Sequence, residues 1–218
     1  ARQFGGNVKR TDVVGATPNA FLPDDVAAPT VTHEDGMTAV VGDTTFEMHN
    51  ATGETDDHTW IWDADRKAIY VGDLFMWNFP NAGNPQKVQR FAGDWATALP
   101  VGGNARIAEA LDTSASALEY LVRETVTLMN EGATLDTILH TVKLPDTYEG
   151  IPYLVPNYDE PAFVVRNIYR LYGGWWDGDP ANLHPAPKSA LGAEVASLAG
   201  GASALAQRAL ELVAAGDL

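Results

Sequence analysis

Between Thr38 and Gly72, four runs of apolar and polar residues carry strand signals: TAVVGD, TFEMHNA, HTWIWDAD and KAIYVGD. In the third run Trp60 and Trp62 alternate with Thr59 and Ile61, the two-residue period of a half-buried strand. Turn residues separate the runs at Val41-Gly42-Asp43 and at Ala64-Asp65-Arg66, so the pattern predicts a compact β region. The segment FMWNFPNAGNPQK reads as a loop from its Pro, Gly and Asn content, and residues 88–99 form a short helix candidate.

After Pro100 the apolar spacing lengthens to three and four. Ile107, Leu111, Leu118, Leu121, Val122, Val126 and Met129 predict one long helix over residues 104–130, closed by Gly132. Thr134 caps a second helix with Leu135, Ile138, Leu139 and Val142 on its face, stopped by Pro145. Asp159 is the expected cap of a third, which carries Phe163, Val164, Ile168 and Leu171 and ends at Gly173-Gly174. Two alanine-rich helices, 188–198 and 202–215, finish the chain and join at Gly200-Gly201. Residues 1–30, with little periodicity, read as an irregular arm.

Composition narrows the partners. The 218 residues are 45% hydrophobic, enough for a substantial core. Against 14 basic residues stand 29 acidic ones, and the net charge of -15 repels phosphate backbones and anionic membranes. Nucleic acid and membrane are therefore not expected partners. No run reaches the roughly 18 apolar residues of a spanning helix. ARQFGGNVKR has no apolar stretch behind its charges, so no signal peptide is visible and a cytoplasmic setting is favoured. The absence of cysteine leaves His, Asp and Glu as the available metal ligands.

Those residue types gather at GETDDHTWIW, where Glu54, Asp56, Asp57 and His58 precede a strand, and Asp73 follows another strand in YVGDLF. Hard oxygen ligands with an imidazole suit zinc, manganese or iron, and such ions bring the pKa of bound water toward about 7. The plainer reading makes Asp56 and Asp57 turn residues, His58 a strand-edge residue and Asp73 a turn cap. In YRLYGGWWDGDPANLHP, Tyr169, Tyr172, Trp175 and Trp176 suit a core or dimer contact, or else an apolar groove for an alkyl chain. Asp177-Gly178-Asp179-Pro180 is a turn signature. Arg90, Arg106, Arg123, Arg166 and Arg170 are the candidate anion binders.

The order and spacing of the two acidic motifs resemble the metallo-β-lactamase fold, in which a Gly-His-Thr element precedes a hairpin and the next strand ends in Gly-Asp. In the branch similar to linear alkyl sulfatases an acidic residue replaces that His. Gly53-Glu54-Thr55 and Gly72-Asp73 stand in those places. The similarity continues through PNAGNPQKVQRF and LVRETVTLMNEGATLDTILHTVKLP. It extends to VVRNIYRLYGGWWDGDPANLHPAP, which resembles the alkyl sulfatase dimerisation region.

This resemblance implies a partial metallo-β-lactamase-like αββα region of α/β class over residues 1–100, followed by an all-α dimerisation region over 101–218. It implies a homodimer and a hydrolase of sulfate esters, small anionic substrates, working through water activated by two zinc ions. Glu54 would be a ligand of one metal and Asp73 the ligand bridging both, with Asp57 and His58 beside them in support. Tyr172, Trp175 and Trp176 would line a substrate or dimer groove. The family's His-x-His-x-Asp-His run is absent, since His33, His49, His58, His140 and His184 are scattered. The stretch from Ala96 to Leu111 also lacks the expected strand ending in Pro-Gly-His. The chain is thus expected to be part of a metal-dependent hydrolase whose other ligands lie elsewhere. The alternative is a non-catalytic oligomerising module that keeps a degenerate scaffold.

Overall fold

The computed structural model describes residues 28–84, 87, 89–100 and 104–216, so the expected arm lies outside the described residues up to residue 27. Four strands follow one another as a single antiparallel sheet: β1 (Gly36–Val41), β2 (Thr44–Ala51), β3 (His58–Asp63) and β4 (Ala68–Tyr70). Each falls where the strand signals placed it. The β1–β2 turn has Gly42 at φ 63°, open to glycine without steric cost, and sets Val41 opposite Thr44. The β3–β4 turn is tied by Asp63, which is buried. Its Oδ1 accepts from the Arg66 backbone N at 3.0 Å and its Oδ2 from Arg66 Nη1 at 2.8 Å. The Arg66 hydrogen bonds hold the Asp63 carboxyl below its usual range.

One strand ends earlier than its apolar run suggests. β4 stops at Tyr70, and a single 3₁₀ turn, Gly72–Leu74, carries Asp73. The reason is local: the Val71 carbonyl accepts from Leu74 N and lies 2.9 Å from His58 Nε2. It is therefore committed to the turn and to an imidazole.

Among the described residues six α-helices follow: α1 (Ala92–Ala98), α2 (Ala105–Asn130), α3 (Leu135–Thr141), α4 (Pro161–Gly173), α5 (Lys188–Leu198) and α6 (Ala202–Ala215). None is long and apolar enough to cross a membrane. The helix expected from residue 88 begins at Ala92. The Arg90 carbonyl accepts side-chain amides of Gln89 and Asn167, both at 2.8 Å, and is lost to helical pairing. Asn104 Oδ1 caps α2 through the backbone N of Arg106 and Ile107, both at 3.1 Å. Thr134 caps α3 through Thr137 N at 3.2 Å. The expected cap of α4 is corrected: Glu160 occupies that position without a side-chain bond, and Pro161 supplies the first helical φ. Asp159 instead turns inward, where it is buried and accepts from Asn84 Nδ2.

The core lies among α1, α2, α3 and α4 and the loops that follow the sheet. Leu111, Leu118 and Leu121 of α2 pack with Trp95, Ile138, Val164 and Ile168. Each such side chain removed from water contributes roughly 1.5–3 kcal/mol. Trp95 keeps its polar atom satisfied, donating from Nε1 to the Leu74 carbonyl at 2.7 Å, and so fastens α1 to the turn bearing Asp73.

The chain divides into two compact units, residues 1–175 and 176–218. The change from strands to helices at Pro100 lies inside the first. In the second, α5 and α6 pack on each other across Gly200-Gly201, at φ 87° and 112°. Asp179 Oδ1 caps the short turn Pro180–Asn182 through Ala181 N at 2.9 Å, which is the turn role its sequence suggested.

Candidate functional site

The sheet meander brings the two acidic motifs together. β2 ends at Ala51 opposite His58, where β3 begins, and β4 runs back to the same end of the sheet. Glu54, in the β2–β3 link, and Asp73, after β4, consequently line one cavity of about 350 Å3 with Met76, Asn78, Asn81, Lys87 and Tyr158.

His58 sits between the two motifs. Its Nε2 donates to the Val71 carbonyl, and its ring lies against Gly53 on one side and Gly72 on the other. A Cβ at Gly53 would meet His58 Cγ at 2.9 Å, and one at Gly72 would meet Cε1 at 3.1 Å. Gly72 also holds φ 52°, a conformation that disfavours side chains. Each glycine directly precedes one of the site carboxylates, so the imidazole spaces Glu54 from Asp73.

Glu54 is not a free carboxylate. Its Oε1 accepts from Arg90 Nη2, from Lys87 Nζ at 2.9 Å and from Asn81 Nδ2 at 3.4 Å. Burial alone would raise its pKa, but the hydrogen bonds and charges of Arg90 and Lys87 outweigh it and bring the value down to about 2. Lys87 shows the mirror balance. Burial works against its charge, while Glu54 and the Tyr158 hydroxyl restore it and carry the pKa above the ordinary lysine value. Behind them Asp159 is pushed up by burial in spite of Asn84. Asp73, by contrast, is exposed at the cavity and has no hydrogen-bond or ion-pair partner among the described residues.

This donor set does not fit a zinc pair by itself. The cavity offers two carboxylates, one of them already paired with two cations, and no imidazole in its lining. A catalytic zinc takes three protein ligands. Among the described residues no group of three or more His, Asp or Glu side chains is placed to hold a metal ion.

The other sequence candidates disperse. Asp56 and Asp57 are exposed in the turn, with Asp57 Oδ1 accepting from Thr55 Oγ1. Tyr172 and Trp175 are exposed and absent from the cavity lining, and Trp176 donates its indole N–H to the Asp179 carbonyl at 3.3 Å. Of the arginines, Arg90 is buried against Glu54. Arg123 pairs with Glu124 at 3.0 Å, and Arg170 donates to Gln89 Oε1 at 2.9 Å. Lys87 escaped sequence reasoning. Its signal was two cations three positions apart, Lys87 and Arg90, in a loop rich in Pro, Gly, Asn and Gln. The same loop stretch that presents Asp73, Met76 and Asn78 to the polar cavity presents Phe75 and Trp77 to an apolar recess. That recess, of about 250 Å3, is also lined by Ile69, Val71, Ile107, Ala110 and Leu111, and by Arg106, one of the arginines singled out in the sequence.

Comparison with known proteins defines the class first. Residues 134–218 match the alkyl sulfatase dimerisation family. Along most of its length the chain is similar to alkylsulfatases of the metallo-β-lactamase superfamily. It is 28% identical over 210 residues to a linear primary-alkylsulfatase of a Pseudomonas species, which covers 87% of this chain and 39% of the relative. It is 32% identical over 110 residues to an alkyl/aryl-sulfatase of Saccharomyces cerevisiae, covering 50% of this chain and 17% of that protein. The chain therefore spans well under half the length of these relatives. The solved structure of the stereoselective inverting sec-alkylsulfatase Pisa1 from Pseudomonas aligns with a TM-score of 0.77 at 24% identity. That alignment covers 87% of this chain and 34% of Pisa1. The likeness supports the fold expected from sequence, an α/β region followed by helices.

Proposed function

We propose that the polypeptide carrying this chain hydrolyses anionic esters, sulfate esters first, and that its helical region assembles the protein as a homo-oligomer. The carrying observation is that Glu54, Asp73 and Lys87 line one cavity in a chain similar to alkylsulfatases. An unpartnered carboxylate such as Asp73 accepts a hydrogen bond from water or from a hydroxyl, and the recess lined by Phe75 and Trp77 has the largely apolar character an alkyl group needs. Residues 134–218 support the assembly role through their family. Alkyl chains and anionic heads together select alkyl sulfates over uncharged esters and lactones.

The test follows hydrolysis of octyl sulfate, p-nitrophenyl acetate and a simple lactone by the purified polypeptide. Sulfate release, with the two uncharged substrates turned over more slowly, is the expected result. Preferential lactone or acetate cleavage would move the activity to another branch of the fold. A second reading rests on the neutralised state of Glu54: a non-catalytic oligomerising module with a degenerate scaffold. Complete inactivity on all three substrates, with a stable oligomer, would favour it.

A further inference from the structure

We infer that Lys87 is the residue that recognises the anionic group of the ester, a role that rests on the hydrolase reading and that none of the five arginines singled out in the sequence fulfils. Arg90 is 2% exposed and spends its Nη2 on Glu54, so it stands behind the cavity wall. Arg106, Arg123, Arg166 and Arg170 do not line the cavity. The Lys87 side chain does line it, and at 8% exposure it is held there by its surroundings.

Charge and donor counting support the role. Arg90 neutralises Glu54, which leaves the cavity with one cation and one free carboxylate, Lys87 and Asp73. An ammonium has three hydrogens. Glu54 takes one at 2.9 Å, which leaves hydrogens for a ligand. A partly desolvated ammonium binds an oxyanion more strongly than an exposed one. The class of ligand is therefore a compact oxyanion on an organic tail, with Asp73 disfavouring a second negative charge on it.

The role is tested by calorimetric titration of the polypeptide with octyl sulfate, octyl phosphate and octanol, below micelle-forming concentrations. Direct binding is read, so loss of this role is distinguishable from loss of hydrolysis. Lys87→Met should weaken octyl sulfate binding about tenfold or more. It should leave octanol binding unchanged, and Lys87→Arg should recover most of the loss. Arg90 still holds Glu54 in the Met variant, and an unfolding midpoint close to wild type checks that the fold persists. The monoanionic sulfate is expected to bind more tightly than the dianionic phosphate. Equal octyl sulfate affinity in wild type and Lys87→Met would overturn the inference. So would a wild-type protein that binds octanol as tightly as octyl sulfate, or that binds neither.

Discussion

His58 Nε2 donates to the carbonyl oxygen of Val71 at 2.9 Å, and this bond joins the segment carrying Glu54 to the turn carrying Asp73. The imidazole is seated there because glycine on each side leaves it room. Sequence proximity alone suggested that His58 supports the site, and the geometry gives it a mechanical means of doing so.

Gly72→Ala tests that seat. The new Cβ would lie 3.1 Å from His58 Cε1 at a backbone φ of 52°. A residue forced into that region costs about 1–3 kcal/mol, to which displacement of the ring adds. Urea unfolding should show the loss. Substitution at Gly93, where a Cβ meets nothing within 4 Å, should show a small change. Equal effects at the two glycines would mean that the His58 ring does not depend on the space left by Gly72.

Acid should dissolve the Glu54 cluster in a defined window. The folded pKa of about 2 lies below the ordinary 4.5, so the folded state favours the ionised form. The resulting stabilisation is fully present above pH 4.5 and is lost as the pH falls from there toward 2. Glu54→Gln removes the titrating group. The stability gap between wild type and Glu54→Gln, measured by urea unfolding at pH 6, 4 and 3, should shrink as the pH falls. A gap that stays constant would mean that the two cations do not act on Glu54.

The cap of the longest helix is testable alone. Asn104 Oδ1 accepts two backbone N–H groups at the start of α2. Asn104→Ala should cost about 0.5–2 kcal/mol, and Asn104→Asp should retain most of the stability. Both are read as midpoints of thermal unfolding.

The second unit carries the assembly prediction. Leu191 and Leu198 of α5 and Leu210 of α6 are exposed, Leu198 at 87%. Neither helix has a buried residue. Exposed apolar helix faces of this extent mark contacts with another surface. Replacing Leu198 and Leu210 together by Asp should shift the oligomer toward monomer in sedimentation analysis. Little change in helical circular dichroism is expected. An unchanged sedimentation coefficient would place the contact elsewhere.

The elements were legible wherever their signals were local. Period-two runs gave the sheet, and Asn104 and Thr134 announced helix starts because a cap bonds to amides two or three residues away. Asp159 misled for the same reason: it has a capping side chain one position before the real cap. Its actual partner, Asn84, is 75 residues distant and invisible to a local rule. The site divides in the same way. Gly-Glu and Gly-Asp identified Glu54 and Asp73, but the cations on Glu54 come from 33 and 36 residues away, across a loop whose path the sequence does not specify. Lys87 became visible as a functional residue only when the fold laid that loop against the sheet.

The most direct test of the central claim is release of inorganic sulfate from octyl sulfate by the polypeptide, compared with its Asp73→Asn variant at neutral pH. Asp73 has no structural partner among the described residues, so the variant should unfold at nearly the wild-type temperature. Sulfate release by wild type, reduced roughly a hundredfold or more in Asp73→Asn, is the result this account predicts. Equal rates in the two proteins, or no release from wild type, would contradict it.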